Sequence, residues 1–118
     1  MPAAGASGPG LAVRRGEVWW VDFDPTQGAE IRKIRPAVVV TADGLNRARR
    51  TVVVVPLSSG PQPHPPIVVA TPSAGQRSVA VCDQLRAVDK RRLIRSDGRL
   101  SATDLASVED GVRRVLVL

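Results

Sequence analysis

The segment RPAVVVTADGLNRARRTVVVVPLSS, residues 35–59, decides the fold. It holds two apolar runs, 36–42 and 51–57, separated by Asp43-Gly44 and a short arginine-rich turn over 45–50. Valine is stiff at χ1 and fits a pleated strand better than a helix, and each run is short for a buried helix. Runs without polar alternation predict strands covered on both faces, hence a small closed sheet or barrel with little exposed face. The same segment places a charge. Pro36 fixes its own φ and holds Arg35 in extended backbone, so the arginine leaves the preceding loop in a set direction at the mouth of a buried strand.

Upstream, EVWWVDF (17–23) crowds β-branched and aromatic residues between Gly16 and the Asp24-Pro25 turn, and reads as a first strand. Alternation sets Trp19, Val21 and Phe23 on one face and Val18 and Trp20 on the other, so both faces are expected to be covered, by core or by a second subunit. Residues 24–34 form a charged, turn-rich loop that leads into Arg35 and is a candidate substrate flap. Downstream, SSGPQPHPP (58–66) is a proline-stiffened connection, and IVVA (67–70), SVAVC (78–82) and LRAV (85–88) supply further short strands. The period then changes. Ser101 with Asp104 makes a capping-box-like start, and Leu105, Val108, Val112, Val115 and Leu116 recur at helical spacing. This predicts a C-terminal amphipathic helix with Asp104, Glu109, Asp110, Arg113 and Arg114 facing outward. Residues 1–13 are small and rich in Gly and Pro, and are expected to be a flexible leader before a single domain over 14–118.

A chain of 118 residues suits one domain. Its formal charge of +6 is carried mostly by arginine, which forks onto phosphate oxygens, so a polyanionic partner is the natural inference. The single cysteine, Cys82, excludes an intrachain disulfide framework. With no apolar run of membrane-spanning length and no secretory-signal pattern at the start, the expectation is a soluble, cytoplasmic protein.

Conventional catalytic devices are scarce. His64 is the only histidine, so a mechanism using two histidines of one chain is excluded. No cluster of Cys, His or carboxylates has metal-ligand spacing and no glycine-rich nucleotide loop occurs, so neither metal nor cofactor is expected. Cleavage of RNA by its own 2′-hydroxyl needs only a proton acceptor, stabilisation of a dianionic phosphorane, and a proton for the leaving 5′-oxygen. Arg35 suits the second service, a hydroxyl such as Ser58 can bond a phosphoryl oxygen, and Asp83 can accept a proton in a suitable environment. Gln27, Glu30, Arg32, Lys33, Ser59, Gln84 and Arg86 are candidate RNA contacts in the loop, the strand ends and the basic stretches. For Ser58 and Ser59 an ordinary turn, and for Asp83 a structural ion pair, are the competing readings.

In order and spacing, RRGEVWWVDFDPTQGAE (14–30), RPAVVVTADGLN (35–46), TVVVVPLSS (51–59), CDQLRAVDKRRL (82–93) and LSATDL (100–105) resemble the MazF/PemK family of toxin ribonucleases from bacterial toxin–antitoxin pairs. The resemblance implies an SH3-like barrel with a C-terminal helix and a homodimer. It also implies metal-independent cutting of single-stranded RNA, messenger RNA first and ribosomal or transfer RNA as further candidates, leaving a 2′,3′-cyclic phosphate and a 5′-hydroxyl. Translation and growth would stop, and a cognate antitoxin with an acidic, apolar tail would cover the site. Arg35 corresponds to the catalytic arginine of the family's RP motif. Ser58 falls where threonine is usual, and Asp83 falls at an acidic position that is catalytic in some members. Val81 stands where those members can carry a second arginine, which weakens the Asp83-centred variant. Two rivals share the expected fold or charge: a CcdB-like toxin that binds a topoisomerase without catalysis, and an RNA-binding module that cuts nothing.

Overall fold

The computed structural model describes residues 12–118. The expected leader over 1–13 therefore lies almost wholly outside the described residues. Its last residue, Val13, is buried in the core, so packing begins one residue before Arg14. In chain order the elements are β1 (Glu17–Asp22), β2 (Ile34–Val39), α1 (Asp43–Ala48), β3 (Thr51–Ser58), β4 (Val68–Ala70), β5 (Val79–Val81), β6 (Arg86–Asp89), β7 (Leu93–Arg99) and α2 (Ala102–Leu116). This is the mainly β architecture with a C-terminal helix that the sequence predicts.

The expected closure is not seen. The strands form one antiparallel sheet in the order β4-β5-β3-β2-β1-β7, with β6 also on β3, and no ladder joins β7 to β4 or β6. The outer edge of β3 is divided: residues 51–54 pair with β6, and Leu57 and Ser58 pair with β5. A 3-10 turn, Lys90–Arg92, then carries the chain from β6 to the free edge of β1 without pairing the two strands it connects.

The valine runs lack polar alternation because each face has its own core. Trp19, Val21, Phe23, Ala37, Val39, Val52 and Val54 pack on one side, while Val18, Val38, Val55 and Leu57 pack on the other with Val69, Ala80, Cys82 and Val108. Helix α2 covers the second face. Ser101 caps it by accepting the Asp104 N–H, and Leu105, Val112 and Val115 support the buried Val108. Two expectations for this helix fail. Leu116 is exposed, and Asp104 is buried, its carboxylate accepting the Ser73 N–H at 2.7 Å and the Ser73 hydroxyl. That bond ties the first turn of α2 to the loop before β5. Glu109 is half-buried and paired with Arg15.

Cys82 lies under α2 with no exposed surface. Burial, and then the neighbouring Asp83 charge, push its thiol up to about 11. The thiolate is the reactive form, so alkylation at pH 8 is expected to be about 100-fold slower in the folded protein than in denaturant. The folded state keeps this proton after the unfolded chain has released it. The thiol's contribution to stability is thus intact below the ordinary thiol value and declines as the pH rises above it. Mass spectrometry after timed iodoacetamide treatment checks the first statement; equal rates in both states would refute it. Among the described residues no helix is long and apolar enough to cross a membrane.

Candidate functional site

Strand alternation builds the floor of a cleft at the ends of β1, β2 and β3. Val18 and Trp20 of β1 lie across from Val38 and Pro36 of β2, on the face that also carries Leu57 of β3. Near the ends of these strands α2 no longer covers that face, which leaves Val18, Trp20, Ile34, Pro36 and Leu57 lining a cleft of about 770 Å³. Lys33, Arg35, Ser58 and Ser59 line it at the strand ends, residues 73–78 from the loop before β5, and Asp97 and Arg99 from β7.

Arg35, near the start of β2, and Ser58, at the end of β3, both line this cleft. Arg35 is half-buried, and its Nε donates to the Arg32 carbonyl at 3.1 Å. Four cations, Lys33, Arg35, Arg77 and Arg99, meet one carboxylate in the cleft, Asp97, which accepts the Trp20 indole N–H at 3.1 Å. The Arg95 guanidinium lies 4.9 Å from the centre of the Trp20 ring. A second hollow of about 390 Å³ continues past Ser59, Gln76, Arg77 and Ser78 toward Gly60 and Gln62. An apolar floor with a cationic rim suits a ligand that alternates flat apolar surfaces with negative charge, as single-stranded nucleic acid does.

Arg35, Ser58, Lys33 and Ser59 thus share one cleft. The other sequence candidates lie outside its lining. Asp83 is exposed on the 3-10 turn Cys82–Gln84. Gln84 accepts the Ile31 N–H and donates to the Ala29 carbonyl, both at 3.3 Å, which fastens loop 24–33 to that turn. Glu30 accepts the Gln27 N–H at 2.6 Å, and Arg32 donates to the Gly28 carbonyl at 3.2 Å, so these bonds shape the loop itself. Arg86 stacks over Phe23 at 5.6 Å. Sequence reasoning missed Gln76, Arg77 and Asp97, and assigned Trp20 to core or interface. Only Trp20 carried a usable signal, as an aromatic on the less apolar face of β1. Among the described residues no group of three or more His, Cys, Asp or Glu side chains could hold a metal ion.

Known proteins of similar sequence and shape identify the family. The family described as PemK-like, MazF-like toxin of type II toxin–antitoxin system matches residues 14–116. Endoribonuclease MazF9 of Mycobacterium tuberculosis (strain ATCC 25618 / H37Rv) is 36% identical over 110 residues, 86% of this chain and 93% of its own. Endoribonuclease PemK of Escherichia coli is 39% identical over 83 residues, 67% of this chain and 62% of its own. The crystal structure of MazF from Deinococcus radiodurans superposes with a TM-score of 0.79 at 26% identity, over 91% of this chain and 98% of that one. An endoribonuclease from a mycobacterial species, solved with its cognate antitoxin, shares the fold at a TM-score of 0.77 and 22% identity, over 91% and 97% of the two chains. The family match takes in all nine strands and helices, including those that bring Arg35 and Ser58 to one cleft, and the chain belongs to the PemK-like, MazF-like toxins of type II toxin–antitoxin systems.

Proposed function

We propose that the protein is a sequence-selective endoribonuclease toxin that cuts single-stranded RNA without a metal ion, using the substrate's own 2′-hydroxyl. The observation that carries this reading is that Arg35 and Ser58 both line a cationic cleft with an apolar floor. Bases rest on the floor of Trp20, Pro36 and Leu57 while Lys33, Arg77 and Arg99 hold phosphates. The 2′-oxygen forms a bond to phosphorus, the bond to the 5′-oxygen breaks, and the proton lost at the 2′-position is balanced by one gained at the leaving oxygen. Arg35 donates to the two phosphoryl oxygens as their charge grows from one to two, and Ser58 donates to one of them. The products are a 2′,3′-cyclic phosphate and a 5′-hydroxyl.

Asp83 has a supporting role in this proposal, since it is exposed and absent from the cleft lining. Asp83→Asn is expected to keep kcat within about 5-fold of wild type. General-base catalysis contributes about 100-fold or more, so a loss of that size would make Asp83 the proton acceptor instead. Family membership supports the wider assignment: a homodimer in the cytoplasm that stops translation and growth, and an antitoxin whose acidic, apolar segment occupies the same cleft. The test is incubation of purified protein with defined single-stranded RNA in excess EDTA. Cleavage at specific sites is expected. Binding without cleavage would favour an RNA-binding module, and absence of both would favour a non-catalytic, topoisomerase-directed toxin.

A further inference from the structure

Lys33 has a backbone conformation that side-chain-bearing residues seldom adopt, with φ at 69°. Both of its peptide groups are held. Its N–H donates to the Asp24 carboxylate at 2.9 Å, and its carbonyl accepts the Phe23 N–H at 3.0 Å. Asp24 is held in turn: its own N–H donates to the Asp22 carboxylate at 3.1 Å, and its carbonyl accepts from the Arg92 guanidinium. The left-handed residue turns the chain into β2 between Arg32, whose carbonyl accepts the Arg35 Nε–H at 3.1 Å, and Arg35 itself. That bond uses the one guanidinium donor that points back along the side chain and leaves both terminal nitrogens free to fork onto a phosphate.

We infer that Asp24 is a positioning residue for Arg35: its carboxylate holds Lys33 in the left-handed conformation, and this places the Arg32 carbonyl that fixes the guanidinium. The inference rests on the ribonuclease reading for its catalytic consequence. Its structural part can be read without substrate. Strained backbone persists where the surroundings over-determine it, and here the over-determining groups converge two residues before the proposed catalytic arginine. Displacing a catalytic group by about 1 Å can cost up to about 100-fold in rate, so loss of one oriented bond should cost about 10-fold.

The experiment compares Asp24→Ala with Asp24→Asn, which keeps an oxygen to accept the Lys33 N–H. Two quantities are read: steady-state RNA cleavage, and the ¹⁵N-detected Nε–Hε resonance of Arg35 in free protein. Asp24→Ala is expected to lower kcat about 10-fold with KM changed less than about 3-fold, and to shift or broaden the Arg35 resonance. Asp24→Asn should keep the wild-type resonance and a kcat within about 3-fold of wild type. A second pair covers misfolding of the alanine variant. Lys33→Asn, which tolerates the left-handed region, should keep the resonance, and Lys33→Val, which does not, should lose it. An unmoved resonance in Asp24→Ala or Lys33→Val, or equal effects of the alanine and asparagine variants of Asp24, would overturn the inference. If wild-type protein cuts no RNA, the ribonuclease reading falls while the resonance still decides the positioning.

Discussion

Arg35→Ala is expected to lower kcat/KM for RNA cleavage by about 1,000-fold or more, with little change in folding stability. Removing a single neutral donor from a transition-state anion site costs about 100- to 1,000-fold, and Arg35 brings two donors with a permanent charge. The phosphorane carries more negative charge than the diester, so the loss should fall mainly on kcat. Folding should be nearly unaffected. Arg35 is half-buried at a strand end, its side chain has one hydrogen bond, to the Arg32 carbonyl, and the core beneath it begins at Ala37. Arg35→Lys keeps a charge but loses the fork, and should remain about 100-fold below wild type. Single-turnover rates with circular dichroism melts check both variants. Activity of the alanine variant within about 10-fold of wild type would remove Arg35 from the mechanism.

Gly111→Val is expected to produce the largest loss of stability, about 2–3 kcal/mol, the upper part of the usual range for overpacking a filled core. A Cβ at Gly111 would come within 2.7 Å of the Cys82 sulfur, 3.0 Å of the Pro66 carbonyl oxygen and 3.3 Å of a Val69 methyl. The sulfur is the end of a short buried side chain and the oxygen belongs to the backbone, so neither can withdraw cheaply. Valine adds two methyl groups to the same space, and α2 must lift from β4 and from the turn at Cys82. Gly111→Ala separates packing from helix propensity. Alanine favours the helix by about 1 kcal/mol, so a net loss in that variant is steric. Thermal or urea unfolding measures both. A stabilised Gly111→Ala protein would mean that the helix seats less closely than described.

The elements with a strong period were legible. The valine runs became β2 and β3, EVWWVDF became β1, and the Leu105, Val108, Val112 and Val115 stripe became α2, because burial on both faces or on one stripe writes itself into residue order. Strand β7 was not legible. Its sequence, LIRSDGR, buries only Leu93 and is held by its ladder to β1, a backbone interaction that leaves no hydropathy signature. Sheet closure was misjudged for a related reason: apolar runs report covered faces and carry no information about whether the edges join. Asp104 was expected outside because a carboxylate on a helix normally faces water. Its partner, Ser73, lies 31 positions away in sequence, where periodicity cannot reach.

The proposed catalytic pair was legible while most of the cleft was not. Pro36 announces the direction of Arg35, and Ser58 closes a strand, so local chemistry marks both. Gln76, Arg77 and Asp97 enter the cleft from a turn and from β7, elements placed by tertiary packing alone. Gln84 and Glu30, candidate RNA contacts by residue type, also make hydrogen bonds that shape and fasten loop 24–33. Polar residue types suited to reading bases are equally suited to fastening loops, and only geometry separates the two uses.

The most direct test of the account uses an RNA oligonucleotide with one 2′-deoxyribose at a mapped cleavage site, treated with wild-type protein in excess EDTA. The attacking oxygen is then missing at one phosphodiester while the base and the charge are unchanged. Cleavage at that position should vanish, and the unmodified strand should yield a 2′,3′-cyclic phosphate and a 5′-hydroxyl. Continued cutting at the deoxy position, or products ending in a 5′-phosphate, would contradict the claim that Arg35 stabilises attack by the substrate's own hydroxyl.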